Sequence, residues 1–512
     1  MKMKRTQTQL TPWAFRTVLC AVPFAAAGCM VGPNYEPPST PMPAAYREAS
    51  RGSATGADAV DTTDPAEIKW WEQLGDPELT RLVEQSLMAN HGIAVAGARL
   101  REARAARQVA QSLLYPQVSV GASALQFRGS ESAIGVPGLD LEDSFFQIGF
   151  DASWVVDVFG GTRRGVESAK AFEQAASARR RGVVLMVAAE TARAYLELRG
   201  VQRQLQINQT ILEEQRQTLA VTEDRRRNGL ASDLEVLRAQ TEVEATAAEI
   251  PPLEQASRQY IHVISTLLGL EPTALSAELE QPAPIPAVPA QVAIGIPSDL
   301  LRRRPDIQGA ERQLAASTAQ VGVATAQLFP QVVLGGSAGL QSRGFNDLFN
   351  GNTKNDSSSY YVAGPTINWT VFDAGRRKAG IRFAEAQVDA AKAAYQDTVL
   401  RAFREVESSL VAVDRTRVRV SNLKQLSETA RQSAEIARRD YERGILDQLT
   451  VLDAQRQSNR ADLLLAQGEV SVVVNLVTLY KALGGGWEFA EPAPATESGP
   501  CLTAEEISRE SK

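Results

Sequence analysis

The sequence predicts a mixed α+β protein that is internally duplicated, with four β-strands and very long antiparallel α-helices in each chain, and its N-terminal signal, described below, makes it a predicted membrane protein. Three observations support this fold class. Many sequence features recur about 215 positions apart, four segments alternate between apolar and polar residues, and two very long segments contain no proline. Period-two alternation is typical of strands, and long proline-free segments are typical of helices.

The duplication is visible as pairs of short motifs. The recurring pairs include 115–118 with 329–332, Trp154 with Trp369, Gly229 with Gly444, and 268–269 with 483–484. The repeat is too long to be a solenoid unit, whose period is about 20–50 residues. The sequence therefore predicts two copies of one large substructure.

Each copy contains two segments with period-two alternation, which predicts two strands. The four predicted strands lie at about 117–127, 144–156, 331–341 and 359–372. One face of each is apolar and the other is small or polar, which is typical of the strands of outer-membrane barrels. A half-solvated soluble sheet alternates in the same way, and alternation alone favours that alternative.

The two faces of the predicted strands carry different candidate roles. The polar positions are candidates for the lumen of a barrel and are Gln147, Asp151, Ser153 and Asn368. The aromatic positions of the other face are candidates for lipid-facing anchors and are Phe146, Trp154, Tyr361 and Trp369. Four strands cannot close a membrane barrel, because the smallest single-chain bacterial barrels have about eight. Strands that span a membrane would have to be shared among several chains.

Two very long helices set the dimensions of the copies. Residues 165–228 and 376–443 contain no proline, and each would form a helix of roughly 100 Å. The helices are expected to end at Gly229 and Gly444, because glycine readily adopts the left-handed turn that ends a helix. Shorter return helices are predicted at about 231–268 and 446–483.

Proline marks further helix boundaries. Asp76-Pro77 predicts a helix start, with aspartate as N-cap and proline at the first helical position. Pro251-Pro252 falls inside the first return helix and is expected to kink or break it.

The first residues have the features of a cleaved secretory signal. Basic residues between 2 and 16 precede a short apolar stretch at 17–27, which is too short to span a membrane. Residues 26–29 resemble a bacterial lipobox, so Cys29 is predicted to become the acylated first residue of the mature chain. An ordinary signal with a chance cysteine is the alternative. The lipobox favours membrane strands over a soluble sheet.

Composition excludes several classes of function. Once the signal is removed and Cys29 is acylated, Cys501 is the remaining cysteine, so an intrachain disulfide is not expected. The chain has two histidines, His91 and His262, which makes a histidine metal cluster implausible, and no metal or cofactor is expected. A net charge of −6 over 512 residues argues against nucleic acid as a partner. No segment is expected to reach the roughly 18 apolar residues that a spanning helix needs.

Five motifs, taken in order, resemble those of the outer-membrane factor family, the TolC-like channels of tripartite efflux systems, and in particular its NodT-like lipoprotein branch. The motifs lie at 29–38, 70–79, 297–307, 371–376 and 480–487. The resemblance covers residues 29 to about 487. It implies a homotrimer in which a 12-stranded β-barrel in the outer membrane is joined to a periplasmic α-helical barrel.

The resemblance also implies a division of the chain and a set of partners. The expected segments are a signal peptide (1–28), an acylated and equatorial segment (29–75), a first repeat (76–269), an equatorial linker (270–297), a second repeat (298–484) and an equatorial tail (485–512). The implied function is a passive conduit for small molecules through the periplasm and outer membrane. The implied partners are a periplasmic adaptor, an inner-membrane pump and outer-membrane lipid.

Two sets of residues at the helical turns are candidate sites. The tips expected to contact the adaptor contain Arg227, Gly229, Ser232, Arg443 and Gly444; the alternative is a solvated hairpin. Asp447 and Asp453 begin the last helix, and the resemblance implies an aperture aspartate at Asp453. Three symmetry-related carboxylates would form an acidic gate, whereas a helix-capping role is the alternative and is at least as plausible for Asp447.

Three other functions were considered. An exit duct for an ABC-type polypeptide secretion system would share the same conduit. A structural periplasmic coiled-coil lipoprotein would explain the long helices but not the four strands. An enzyme is not expected, because the Ser-x-x-Lys match of Ser421 to Lys424 lies in a predicted helix without its companion motifs.

Overall fold

The structure is a computed structural model. It describes residues 30–48, 60–61, 69–128, 142–287, 289, 292–293, 297–349 and 358–488. The predicted signal peptide, the acylation of Cys29 and the tail cysteine Cys501 lie outside the described residues.

The chain divides into two compact units. The described residues of the first unit fall within 30–41, 97–178 and 307–399, and those of the second within 42–96, 179–306 and 400–488. The described strands are β1 (Val60–Asp61), β2 (Gln117–Arg128), β3 (Glu142–Val156), β4 (Val292–Ala293), β5 (Gln331–Ser342) and β6 (Ser359–Asn368). The first unit contains a four-stranded antiparallel sheet, in the order β2-β3-β5-β6. The second contains a short parallel pair, β1 and β4.

The last strand of the sheet is shorter than the sequence suggests, because it ends at Asn368 rather than near 372. Asn368 pairs with Gln331, the first residue of β5, so the partner strand offers no further pairing. Beyond it the chain turns, with Ala374 at a φ of 53°. The Asp373 carboxylate accepts from the backbone N–H of Gly375 at 3.1 Å and fixes this turn.

Most of the described chain is helical. The α-helices are α1 (Pro77–Ala89), α2 (His91–Ser112), α3 (Gly161–Arg227), α4 (Asp233–Leu267), α5 (Ser276–Leu279), α6 (Leu300–Arg303), α7 (Pro305–Ala326), α8 (Arg376–Glu442) and α9 (Gln448–Leu483). Short 3₁₀ helices lie at Trp70–Leu74, Pro297–Asp299 and Asn346–Leu348. The Asp76 side chain caps α1 by accepting from the N–H groups of Glu78 and Leu79, with Pro77 in the first turn, as the sequence predicts.

The duplication extends to the lengths of the elements. Helices α3 and α8 both have 67 residues, α2 and α7 both have 22, and β2 and β5 both have 12. Each long helix follows a glycine in the left-handed region, Gly160 at φ 77° and Gly375 at φ 88°. The long helices of the two copies therefore correspond position by position, with a constant offset along their whole length.

Two expectations about the helices are corrected by the structure. Pro251 and Pro252 do not break the return helix, because α4 continues through them to Leu267. Both prolines are exposed, so water can take up the carbonyl groups that lose their helical partners. In addition, among the described helices α9 is long and apolar enough by composition to span a membrane, with a mean hydropathy of 1.6. Half of that window is buried inside the protein, as is typical of a core helix.

The core of the second unit is formed by α1, α3, α4 and the tryptophans that precede α1. Trp71, Leu79, Leu196 and Ile264 have no exposed surface. Helix α3 approaches α9 closely at Gly200, where an added Cβ would lie 2.5 Å from Val470 Cγ2. Valine is stiff about χ1 and cannot swing away, so the contact depends on glycine.

Substituting Gly200 by alanine is expected to lower the free energy of unfolding by about 1–3 kcal/mol, the usual cost of overpacking. The same substitution in a Val470→Ala background is expected to be close to neutral, because the obstructing methyl groups are absent. Chemical denaturation of the four variants followed by circular dichroism measures this. An equal cost of Gly200→Ala in both backgrounds would contradict it.

Candidate functional site: the sheet faces and the helical tips

The four predicted lumen residues lie on one face of the sheet. Gln147 pairs with Ser123 and Gln341, Asp151 with Ser119 and Ser337, Ser153 with Gln117 and Gly335, and Asn368 with Gln331. Since partners across a strand pair share a face, these side chains and the small residues around them form one continuous polar surface. Its polar and small side chains suit contact with water. Among the described residues there is no cluster of three or more acids, cysteines or histidines that could hold a metal ion.

A tyrosine lies across two glycines on this polar face. An added Cβ on Gly149 would be 2.8 Å from the Tyr360 hydroxyl, and Gly149 pairs with Gly339, which pairs with Tyr360. The Gln147 amide donates to the Tyr360 hydroxyl. The two glycines thus let the ring lie along the sheet instead of standing out from it. Sequence reasoning missed this arrangement because it joins three strands.

The opposite face of the sheet is apolar and uncovered. Phe150, Ile367 and Tyr361 are 61%, 68% and 88% exposed, and Val120 is 67% exposed. This exposure is far greater than in a sheet whose face packs on a core. An apolar patch of this kind marks a surface that meets a membrane or a partner.

The two duplicated tryptophans sit at matching places at the ends of strands. The Trp154 indole donates to the Leu114 carbonyl at 2.9 Å, and the Trp369 indole donates to the Leu328 carbonyl at 3.0 Å. The N–H of each indole is thereby hydrogen-bonded, and the rest of each ring is left as an apolar surface. Tryptophans with these properties are typical of the boundary between a membrane and water.

The helical tips are two matching glycine turns in the second unit. Gly229 and Gly444 have φ values of 74° and 75°. In each turn the glycine N–H and the next N–H bond back to carbonyls of the last helical turn, for example Leu230 to Arg225 at 2.8 Å and Ile445 to Asp440 at 2.9 Å. This is the Schellman geometry, which satisfies carbonyls at a helix end and requires a residue that tolerates positive φ.

The tips expose both charge and apolar surface. Arg227 pairs with Asp224 at 3.3 Å and Arg443 with Asp440 at 3.8 Å, and both arginine side chains are more than 60% exposed. The residues that follow the glycines, Leu230 and Ile445, are 69% and 67% exposed. These protruding apolar side chains give the tips a surface suited to contact with another protein.

The two turns differ in how the next helix is capped. Ser232 caps α4 in a reciprocal capping box with Glu235. Asp447 caps α9 by accepting from the Thr450 N–H at 2.9 Å and from the Thr450 hydroxyl. The hydrogen bonds from the Thr450 side chain and backbone hold the pKa of Asp447 below its usual value, so the group is ionised at neutral pH. Asp453 is exposed and accepts from Gln457 at 2.9 Å.

Helices α3 and α4 form a first hairpin, and α8 and α9 form a second. Three polar contacts join the two hairpins near the tips. The Gln448 amide donates to Thr222 at 2.9 Å, and the Arg225 guanidinium lies 4.7 Å from the centre of the Tyr441 ring. Arg456 donates to Glu242 at 2.5 Å, and this hydrogen bond to the carboxylate raises the pKa of Arg456. Since each contact crosses between hairpins, these residues hold the two turns in a fixed mutual arrangement.

Two of the sequence motifs meet in the second unit. The Arg304 guanidinium is buried, donates to the Ala482 carbonyl at 2.9 Å, and pairs with Asp306 at 2.7 Å and Glu405 at 2.8 Å. Burial alone would lower the pKa of Arg304, but the two carboxylates outweigh it and raise the pKa. Gly484 has a φ of 80°, and an added Cβ would lie 2.9 Å from Arg304 Cγ. The arginine motif at 297–307 and the glycine motif at 480–487 therefore contact each other through Arg304.

The Ser-x-x-Lys match carries no catalytic geometry. Ser421 and Lys424 are both exposed on α8, and Lys424 lies 3.9 Å from Glu469 in a surface ion pair.

Comparison with known proteins identifies the family. The family model described as outer membrane efflux protein matches the chain at residues 82–270 and 296–485. The chain belongs to this family. The match has two parts, which correspond to the two copies seen in the sequence, and it confirms the resemblance to outer-membrane factors. The protein is accordingly an outer-membrane efflux protein.

Individual relatives agree with this assignment over most of their length. The chain is 32% identical over 470 residues to Nodulation protein T of Rhizobium leguminosarum bv. trifolii, covering 90% of this chain and 95% of that protein. It is 31% identical over 472 residues to the toluene efflux pump outer membrane protein TtgC of Pseudomonas putida, covering 92% and 95%. The solved structure of the outer-membrane channel OprN is 38% identical with a TM-score of 0.82, covering 90% of this chain and 100% of that one.

Two glycines of the sheet differ in how closely neighbouring backbone atoms approach them, and they provide a matched test of that packing. An added Cβ on Gly339 would clash with the Ile148 carbonyl oxygen and lie 2.5 Å from Gly149 Cα, both backbone atoms, whereas an added Cβ on Gly364 would have open space around it. Gly339→Ala is therefore expected to lower the yield and heat resistance of folded protein in detergent, and Gly364→Ala to leave both unchanged. Heat-dependent gel mobility measures this. Equal behaviour of the two variants would contradict it.

Proposed function

We propose that three copies of this chain close a 12-stranded β-barrel in the outer membrane. The observation that carries the proposal is the four-stranded sheet, whose outer strands β2 and β6 each have one neighbouring strand and whose apolar face is exposed. Lipid does not tolerate open sheet edges, and four strands are too few to close a barrel alone. Pairing of β2 of one chain with β6 of the next would remove every edge.

The polar face then becomes the lumen of the barrel. Gln147, Asp151, Ser153 and Asn368 share that face, and the surrounding positions are mostly glycine, serine and glutamine. Such a wall wets the passage without offering a specific binding site. This supports a passive conduit in which the pump chooses the cargo. The name of the toluene efflux relative supports small molecules as the cargo class.

The helical tips are the proposed docking surface for a periplasmic adaptor, which would connect the conduit to an inner-membrane pump. Support comes from the paired glycine turns and from the exposed apolar residues Leu230 and Ile445 beside Arg227, Ser232 and Arg443. The cross-hairpin contacts described above would present both turns together.

The proposed aperture is an acidic ring made of Asp447 and Asp453 from three chains. The Asp447 carboxylate caps α9 while staying fully ionised, so one residue supplies both a cap and a charge. Asp453 follows on the same helix and is exposed. Acylation of Cys29 would anchor the chain further, since each buried CH₂ of an acyl chain contributes about 0.8 kcal/mol.

The conduit is tested with purified protein in a planar lipid bilayer and by complementing a strain that lacks its own outer-membrane efflux protein. We expect trimers by native mass spectrometry, stable conductance, and restored resistance to small toxic compounds. A scaffold without a pore would give no conductance. An exit duct for polypeptides would conduct but would restore secretion and not resistance.

Replacing Gly229 or Gly444 by valine is expected to abolish efflux while trimers persist, because a β-branched residue at positive φ is strained and would reshape the tip. Gly380→Val is the matched control, since Gly380 lies in the first turns of α8, with no neighbouring atom near its added Cβ. Minimal inhibitory concentrations give the result. Retained efflux in both tip variants would contradict the docking role.

Asparagine substitutions at Asp447 and Asp453 test the effect of charge separately from the effect of helix capping. Asparagine caps a helix as well as aspartate does, so Asp447→Asn removes the charge and keeps the cap. We expect Asp447→Asn and Asp453→Asn each to lower cation selectivity in single-channel recordings, without loss of thermal stability. Asp447→Ala should lower both. Wild-type conductance and selectivity in both asparagine variants would refute the acidic ring.

A further inference from the structure

The first described residues of the chain are held in place by a buried arginine. Arg164 lies in the first turn of α3 and is 2% exposed. Its Nε donates to the Val31 carbonyl at 3.2 Å, and its Nη2 donates to the Gly32 carbonyl at 3.3 Å and to Asn34 Oδ1 at 2.7 Å. Its remaining nitrogen pairs with Glu167 at 2.7 Å. Three of its four acceptors therefore belong to residues 31–34.

The backbone on either side of these contacts is equally confined. Gly32 has a φ of 86°, and an added Cβ would lie 2.5 Å from Gly322 Cα. An added Cβ on Gly160 would lie 2.8 Å from Met30 Cα. The Val31 N–H donates to the Phe159 carbonyl at 3.1 Å. Three glycines thus allow a close approach that any other residue would prevent.

The contacts continue to Tyr35. Its hydroxyl donates to Glu311 at 2.6 Å, the Arg312 guanidinium lies 5.4 Å from the ring centre, and the ring packs against Ala171, Ala315 and Ala316. We call residues 30–35 the N-terminal strap.

A comparison of the two copies shows that the buried arginine occurs in the copy that contacts the strap. Helices α3 and α8 begin at Gly161 and Arg376, so Arg164 corresponds to Ala379. Ala379 is exposed, and its N–H bonds to Gly375 just as the Arg164 N–H bonds to Gly160. The backbone is the same in both copies, but the arginine is present only in the copy that carries the strap.

We infer that Arg164 is a positioning residue that docks the strap, so that an acyl group on Cys29 enters the membrane at one fixed place beside the end of β3. The inference rests on the proposed acylation of Cys29. Met30, the residue that follows Cys29 in the sequence, packs on Gly160, four residues beyond the last residue of β3. An acyl group on Cys29 would therefore be attached one residue before a segment that is held against the protein.

The docking itself is tested by hydrogen exchange of the full-length protein in detergent. We expect the Val31 amide, which donates to the Phe159 carbonyl, to be protected in the wild type and to exchange about tenfold faster or more in Arg164→Ala, because undocking of the strap frees that amide. Arg164→Lys should not restore protection, because one ammonium nitrogen cannot replace the separate Nε and Nη2 donors of the guanidinium. The matched control is Arg101→Ala, an exposed arginine on α2. Unchanged protection in Arg164→Ala would overturn the docking.

Asn34→Ala is a milder variant for the case in which Arg164→Ala fails to fold. It removes one acceptor and leaves the two carbonyl acceptors in place, so faster exchange of the Val31 amide is expected, with the rest of the protein unchanged. Exchange at the wild-type rate in this variant, with the protein folded, would also count against the docking.

The positioning role is tested by a double-mutant cycle in lipid vesicles. Cys29→Ala, secreted with a signal that leaves no lipid, is combined with Arg164→Ala, and the melting temperature of all four proteins is measured. We expect acylation to raise the melting temperature in the wild type and to have little effect in Arg164→Ala. Additive effects would mean that Arg164 is structural only and would overturn the positioning role.

Mass spectrometry of the mature N-terminus separates this inference from the proposed anchor. A peptide that begins at an acylated Cys29 supports both. An unacylated N-terminus would refute the proposed anchor and the lipid-positioning role together. The exchange experiment would still decide whether Arg164 docks the strap, because it does not depend on the lipid.

Discussion

The two open edges of the four-stranded sheet are the constraint on which the rest of the arrangement depends. An unpaired backbone group in hydrocarbon costs several kcal/mol, and a strand edge presents a row of them. The sheet also exposes an apolar face, and so large an apolar surface is unfavourable in water. In the proposed barrel both demands are met because other chains supply the missing strands. The duplication would then provide four of the strands that such a barrel requires.

The duplicated plan is most informative where the copies differ. Equal helices of 67 residues and equal glycine turns show that the backbone is repeated. Ser232 and Asp447 cap equivalent helices, but one is neutral and the other is charged. Arg164 and Ala379 occupy equivalent positions, but one is buried and binds the strap. In each case the backbone role is shared, and the added chemistry belongs to one copy.

Local signals in the sequence predicted much of the fold. Glycine at 229 and 444 located both turns, and period-two alternation located all four strands of the sheet, because these features depend on neighbouring residues alone. The predicted kink or break at Pro251-Pro252 is wrong, since an exposed helix can leave its freed carbonyls to water. The predicted end of β6 near 372 is wrong because the strand ends where its partner β5 begins.

The candidate site was predictable to a lesser degree. The sharing of one face by Gln147, Asp151 and Ser153 follows from their spacing in one strand. The contact of Tyr360 with Gln147 and that of Arg304 with Ala482 join residues far apart in sequence, and the amino-acid types alone do not indicate them. A close approach such as Gly32 to Gly322 is equally invisible, because glycine has many other uses.

The strap shows how a buried charge can make a terminal segment indispensable. Taking an arginine out of water costs several kcal/mol, and its partners must offset that cost. Glu167 neutralises the charge of Arg164, but the acceptors for its other N–H groups are the carbonyls of Val31 and Gly32 and the amide of Asn34. Any of these donors that stays buried without its acceptor costs more than the lost contact itself. Residues 31–34 therefore contribute to the stability of the first unit through Arg164, and Tyr35 contributes by packing against Ala171, Ala315 and Ala316.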